Sequence, residues 1–283
     1  MRVVGQGMSD PGQSMPAGVL PRVEWTAAEF AGDRPPIRYG SCGRVAIISY
    51  DRPSERNAWS IACVRATHAA IQRANADAGI GSIVLTGEGT IFCAGADLKE
   101  ERQYDIKTGH RLTPATFTMG RDERNWIAFL NQSKPVIVAV NGPAVGIGAT
   151  HVLAADIRIA AESASFAFPF LRLGAMPECG SSGLLPRLVG AGRALDLILR
   201  NAVVSAQEAL QIGLVTAVHH DSELRLAALA LAQQIAELPP LQVKLTKRMF
   251  LENAGATHSD AIMQHENRAF VELLQNLKRE KPL

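Results

Sequence analysis

The chain has 283 residues, of which 47% are apolar, and carries a formal net charge of +2. That length accommodates one large domain with a sizeable core, or a domain with a helical extension. The near-neutral charge excludes nucleic acid as the main partner, and no apolar run reaches the length of a membrane span.

Residues 1–22 are rich in Gly, Pro, Met and Ser and lack the apolar centre of a signal peptide, so they read as a loose tail. Val45 to Tyr50 reads as a strand, Ile61 to Ala78 as an Ala-rich helix, and Ser82 to Leu85 as the next strand. Residues 101–120 have weak periodicity and several turn formers, which predicts a mobile loop with some helix. Asp122 to Leu130 reads as a short helix, Val136 to Val140 as a buried strand and Gly146 to Ala154 as a helix. Strands are expected at Asp156 to Ala160, Ser165 to Phe168 and Leu214 to Val218. Helices are expected over Leu184 to Asn201 and Ser205 to Ile212, the second opened by a Ser205–Glu208 capping box. Long helices then fill 222–238, 240–254 and about 258–278. Strands alternating with helices, followed by a run of helices, predict an α/β core with an α-helical C-terminal part. Cys42, Cys63, Cys93 and Cys179 show no metal-ligand spacing and read as lone buried thiols, which suits a reducing, cytoplasmic compartment.

Two stretches carry chemistry. Phe92-Cys93-Ala94-Gly95-Ala96-Asp97-Leu98-Lys99-Glu100 follows one strand, and Val140-Asn141-Gly142-Pro143-Ala144-Val145-Gly146-Ile147-Gly148 follows another. Each opens a helix, where backbone N–H groups are free and carry partial positive charge. Two such starts brought together can grip one oxygen that becomes negative during a reaction. Either loop taken singly is explained as well by a tight strand-to-helix turn.

Together with Asp51-Arg52-Pro53-Ser54-Glu55-Arg56-Asn57-Ala58, Phe168-Pro169, Leu173-Gly174, Ser205-Ala206-Gln207-Glu208-Ala209 and Gly213-Leu214-Val215, these stretches resemble the crotonase superfamily, the enoyl-CoA hydratases and isomerases. The resemblance runs from about Gly43 to about Met249. It implies a spiral core of ββα units over 23–200, holding an acyl-CoA site, and a helical oligomerisation part over 201–283. The implied partner is an acyl-CoA thioester, with no cofactor beyond its CoA moiety, no metal, and assembly into a homotrimer or a dimer of trimers.

The resemblance places the oxyanion donors on the backbone N–H groups of Ala96 and Ile147, where the family usually has glycine at the second position. It also implies two glutamates that hold a water in the hydratases, but Thr150 and Phe170 stand at those positions. A different acid, Glu178, stands where isomerases that move a double bond from the 3 to the 2 position often carry glutamate. The expected chemistry is therefore one-base isomerisation of a 3-enoyl-CoA. Phe166, Phe170 and Met176 are expected to desolvate the carboxylate. Glu178 also precedes a helix, where a carboxylate favours the dipole. Ala94, Ala96, Asp97 and Leu98 are expected along the CoA path, with Arg52 and Arg56 near its phosphates. A solvated turn accounts equally for the two arginines, and a helix cap for Asp97. His151 reads as a packed histidine and Asp156 as a structural residue at a strand start. Hydration of a 2-enoyl-CoA, acyl-CoA hydrolysis or aryl substitution, and CoA binding without turnover are the alternatives.

Overall fold

The structure, a computed structural model, describes residues 23–26, 35–99 and 125–280. The expected tail at 1–22, the loop expected at 101–120 and the first residues of the Asp122 helix lie outside the described residues.

A seven-stranded sheet organises the chain in the order β1-β2-β3-β4-β5-β7-β10. Its strands are β1 Glu24–Thr26, β2 Ile37–Cys42, β3 Val45–Tyr50, β4 Ser82–Gly87, β5 Val136–Val140, β7 Ile157–Ala161 and β10 Ala217–His219. β1, β2 and β3 pair antiparallel, and β3, β4, β5, β7 and β10 pair parallel in that order. Every residue of β3, β4 and β5 is buried. That is why these strands read as continuous apolar runs rather than alternating ones: a parallel sheet is covered on both faces. A second sheet joins β6 Ala144–Val145, β8 Ser165–Ala167 and β9 Val203–Ser205 in the order β6-β8-β9.

Helix α1, Ile61–Ala76, starts at Ser60, whose side chain accepts from the Cys63 N–H. It packs small residues, Ala66, Ala70 and Ala74, into the core. Helix α2 is Trp126–Gln132, with its cap at Asn125. The expected helix over 146–154 is one α-turn, α3 Ile147–Thr150, continued as a 3-10 turn over His151–Ala154. The expected single helix over 184–201 is two, α4 Ser181–Val189 and α5 Ala191–Leu199. The break falls at Gly190, whose φ of +85° is open to glycine and strained for other residues.

Helix α6, Ala206–Gln211, carries the expected capping box. The strand expected at Leu214–Val218 forms later, as β10. Leu214 and Val215 instead donate their N–H groups to the Ala209 carbonyl, closing the end of α6. Helix α7, Leu224–Ala236, lies along β3, β4, β5 and β7, and Ser82 Oγ donates to the Ala232 carbonyl at 2.8 Å. Helices α8, Pro240–Asn253, and α9, Ser259–Glu280, form a hairpin. Lys247 anchors α8 by donating to the Leu130 and Ser133 carbonyls and to Asp156 Oδ2. Asp156 also accepts from the Val136 N–H at 2.8 Å, so its role at the start of β7 is structural, as expected. Among the described residues, no helix is long and apolar enough to cross a membrane.

Candidate functional site

The two glycine-rich loops leave the carboxyl ends of β4 and β5, which are neighbours in the parallel sheet. Their backbones zip together. Cys93 and Ala144 form a parallel bridge, with the Val145 N–H donating to the Cys93 carbonyl at 2.9 Å and the Cys93 N–H to the Pro143 carbonyl at 3.2 Å. Close approach requires glycine at 148, because a Cβ there would lie 2.9 Å from the Cys93 Cβ and closer still to its carbonyl oxygen. Gly146 turns the chain into α3 at φ +56° and ψ −122°, a conformation that favours glycine.

Ala96 and Ile147 each lie three residues beyond the bridged pair. Among the described residues, neither N–H has a hydrogen-bond partner. The other end of each donor peptide is engaged. The Gly95 carbonyl, which shares a peptide unit with the Ala96 N–H, accepts from the Trp59 N–H at 2.7 Å. The Gly146 carbonyl, which shares one with the Ile147 N–H, accepts from Ala149 and Thr150 at 2.9 and 3.0 Å. A hydrogen bond at the carbonyl polarises the amide and strengthens its N–H as a donor. The Ile147 side chain is buried in the core, so the branched residue keeps the donor without exposing its bulk.

The two positions where a hydratase would carry glutamates are closed. Thr150 is 0% exposed, and among the described residues its hydroxyl has no hydrogen-bond partner. Phe170 is 4% exposed and belongs to the core. Neither side chain can hold and relay protons to a water.

Glu178 sits in the segment between β8 and α4, half-buried. It precedes the first turn of α4, which begins at Ser181 after a left-handed Gly180, and its carbonyl accepts from the Ser181 N–H at 3.0 Å. The following residue, Cys179, has φ +55°, a conformation that costs a non-glycine residue about 1–2 kcal/mol. This turn buries Cys179. Burial pushes its thiol up to about 12, with the neighbouring Glu178 charge adding to the effect. Of the groups expected to desolvate Glu178, Phe166 and Phe170 are buried, but Met176 is 74% exposed among the described residues.

His151 is packed, as expected, but it is also bonded. Its ring lies 4.3 Å from the Trp59 ring and stacks on Phe92 at 5.9 Å. Nδ1 lies 2.7 Å from the Ile147 carbonyl oxygen and Nε2 lies 2.8 Å from the Tyr50 hydroxyl. A carbonyl can only accept, so Nδ1 carries the proton and Nε2 accepts from Tyr50. Burial lowers the imidazole pKa to about 4, against the raising influence of the Ile147 and Gly148 backbone. Burial likewise pushes the Tyr50 phenol well above its ordinary range, with Cys63, Cys93 and Cys179 adding to the shift. Cys179 therefore lies within electrostatic range of the cluster that underlies Ile147. Tyr50 and Trp59 escape a sequence reading. The available signal is a Tyr ending an apolar strand and a Trp directly after Asn57-Ala58.

The CoA-path residues are divided. Arg52 is turned inward and paired with Asp97 at 3.0 Å, and it also donates to the Ala58 carbonyl. Asp97 Oδ1 accepts from the Lys99 N–H, so this carboxylate caps the chain where it turns helical at Leu98. Arg56 and Leu98 are exposed, Ala94 and Ala96 half-buried, and the Ala94 N–H donates to the Arg56 carbonyl. The turn bearing Arg56 thus lies directly beside the first glycine-rich loop. Among the described residues, no group of three or more His, Cys, Asp or Glu side chains could hold a metal ion.

The family model for enoyl-CoA hydratase/isomerase matches residues 41–283. A probable enoyl-CoA hydratase of Rhizobium meliloti (strain 1021) is 35% identical over 231 residues, covering 82% of this chain and 86% of that protein. A 4-chlorobenzoyl coenzyme A dehalogenase of Arthrobacter sp is 33% identical, covering 78% of this chain and 79% of the relative. A solved enoyl-CoA hydratase subunit I of Geobacillus kaustophilus HTA426 superposes with a TM-score of 0.76 at 31% identity, over 87% of this chain and 92% of that one. The zipped glycine-rich loops at the ends of two parallel strands, and these likenesses over most of the chain, lead to one assignment: the chain belongs to the enoyl-CoA hydratase/isomerase family of acyl-CoA enzymes.

Proposed function

We propose that this enzyme shifts the double bond of a 3-enoyl-CoA to the 2 position, with Glu178 as its one base. The observation that carries the reading is the exchange of acids: Thr150 and Phe170, buried in the core, stand where the water-holding pair is expected, while Glu178 is half-buried beside the left-handed turn at Cys179. The thioester carbonyl binds between the Ala96 and Ile147 amides. Glu178 takes a proton from C2. The resulting dienolate places negative charge on the thioester oxygen, where the two amides stabilise it. The protonated Glu178 then delivers the proton to C4, leaving the conjugated 2-enoyl-CoA. Arg56, on the exposed turn, supports the CoA phosphates, whereas Arg52 positions Asp97 and the loop. A homotrimer, or a dimer of trimers, completes the reading, supported by the exposed Phe270, Val271 and Leu274 of α9.

The test follows conjugation and hydration separately on 3-enoyl-CoA and 2-enoyl-CoA. Conjugation without hydration, lost in Glu178→Gln with CoA binding retained, is the expected result. Turnover retained in Glu178→Gln would sink the assignment of the base.

The names of the relatives favour a second reading, hydration of a 2-enoyl-CoA. In it Glu178 alone orders the water and moves its protons. Efficient hydration in the same assay would select it.

A further inference from the structure

We propose that the hydrogen-bonded pair Tyr50–His151 is a buried strut that holds the two donor amides in register, making His151 a positioning residue for the reaction. The inference rests on the reading of Ala96 and Ile147 as the oxyanion donors.

The geometry runs from one donor to the other without a gap. His151 Nδ1–H donates to the carbonyl of Ile147, one turn earlier, and the His151 backbone N–H donates to the same oxygen. On the opposite side of the residue, the Gly146 N–H donates to the Ala167 carbonyl at 2.9 Å. The Ile147 N–H thus lies between two anchored neighbours and is aimed by both. The His151 ring then packs on Trp59. Trp59 holds Ala96 through a parallel bridge, its N–H donating to the Gly95 carbonyl at 2.7 Å and its carbonyl accepting from the Asp97 N–H at 3.1 Å. Ala96 is the residue between those two bonds, so its own N–H must point away from Trp59. The Ile147 carbonyl sets the tautomer, and Tyr50, at the end of β3, fixes the far edge of the imidazole by donating to Nε2. Trp126 Nε1 donates to the His151 carbonyl at 2.7 Å, which keeps the backbone of the strut in place.

A buried histidine costs more to fold than an aliphatic residue of the same size unless its polar atoms are used. Both ring nitrogens here are used, one of them on the residue that carries a donor amide. Small displacements matter at such a site, because a misplacement of about 1 Å can cost about a hundredfold in rate. The strut acts through the amides and touches no substrate atom. Its loss should therefore weaken stabilisation of developing charge more than it weakens binding.

The test compares His151→Leu, His151→Asn and Tyr50→Phe with the wild type, using bound 2,4-hexadienoyl-CoA as the probe. Polarisation of its thioester carbonyl moves the absorption band to longer wavelength. The expected result is that His151→Leu loses most of the band shift and about tenfold in kcat on 3-enoyl-CoA, with KM within about twofold. His151→Asn, whose amide nitrogen reaches the place of Nδ1, should recover part of both. Tyr50→Phe removes a single hydroxyl and should show the same pattern at about threefold. A wild-type band and wild-type kcat in His151→Leu would overturn the strut, as would a rise in KM with kcat unchanged. If His151→Leu does not fold, Tyr50→Phe is judged on the same two scales, and a wild-type band and kcat there overturn the strut. Absence of any shift in the wild type would instead remove the donor-pair reading, and the strut with it. The band does not depend on Glu178, so the strut and the isomerase reading fail separately.

Discussion

Gly148→Ala is the sharpest perturbation of the zipped loops. The added methyl would sit 2.9 Å from the Cys93 Cβ and 3.0 Å from its Sγ, and closer still to the Cys93 carbonyl, whereas ordinary contact begins at 3.4 Å. The loops must therefore separate by at least about half an ångström, and by more at the carbonyl, which accepts the Val145 N–H. Two effects on stability oppose each other. Alanine in a helix is favoured over glycine by about 1 kcal/mol. Overpacking of a rigid contact costs about 1–3 kcal/mol. Here the contact is backbone on one side and a 0% exposed cysteine on the other, which puts the steric cost at the upper end of that range, and the variant should lose up to about 2 kcal/mol. The same separation moves the Ile147 amide away from the Ala96 amide, which should lower kcat by ten- to about a hundredfold. Urea denaturation gives the first quantity and steady-state kinetics on 3-enoyl-CoA the second. A variant as stable and as active as the wild type would refute the claim that this contact sets the spacing of the donors.

Gly183→Ala provides the contrast: its Cβ would meet nothing on the exposed face of α4, so it should stabilise by about 0.5–1 kcal/mol, read as a higher urea midpoint. Lys247→Met removes one ammonium that serves two carbonyls and Asp156, and should cost about 1–3 kcal/mol in the same titration; a neutral result would mean that α8 docks by apolar contact alone. His151 titrates at about 4 in the fold and near its ordinary 6.5 when unfolded, so its contribution is complete above pH 6.5 and is lost as pH falls towards 4. That loss is on the order of 3 kcal/mol, with Tyr50, Cys93 and Cys179 around it staying protonated throughout, and His151→Asn should flatten the wild-type decline in urea midpoint between pH 7 and 4.5. Cys93 and Cys179, both raised to about 12 chiefly by burial, should resist a thiol-alkylating reagent until the protein is unfolded; rapid native labelling at either would show that the site opens.

Local signals were legible where local chemistry decides the outcome. Val136–Val140 is a strand because five apolar residues are buried on both faces of a parallel sheet. Ser205 and Glu208 start α6 because each satisfies a backbone or side-chain donor of the other. Gly146 leads into a helix because few other residues adopt its backbone angles. What escaped was decided at long range. Leu214 and Val215 have strand-like side chains, but their N–H groups find the end of α6 first. Arg52 looks like a phosphate ligand until Asp97, far along the chain, claims its guanidinium. Met176 looks like a pocket residue, and only the fold shows it exposed. Tyr50 and His151 are 101 positions apart, and no periodicity or spacing announces their bond.

Ile147 and His151 are best understood together. A glycine at the second donor position would leave that residue the widest choice of φ and ψ, and the most entropy to lose on folding. A β-branched residue has far less freedom. Its cost is bulk beside a substrate carbonyl, and the fold avoids that cost by burying the Ile147 side chain in the core. Burial in turn fixes the residue from its side-chain face, while His151 fixes it from its carbonyl. The Ile147 amide is then held by the backbone turn at Gly146, by an apolar anchor and by a charge-free hydrogen bond, so in the proposed oxyanion role it would need little reorganisation. One turn along, Thr150 is enclosed in the same core. On the reading proposed above, the held amide and the single base at Glu178 divide the work: one stabilises the developing charge and the other moves the proton.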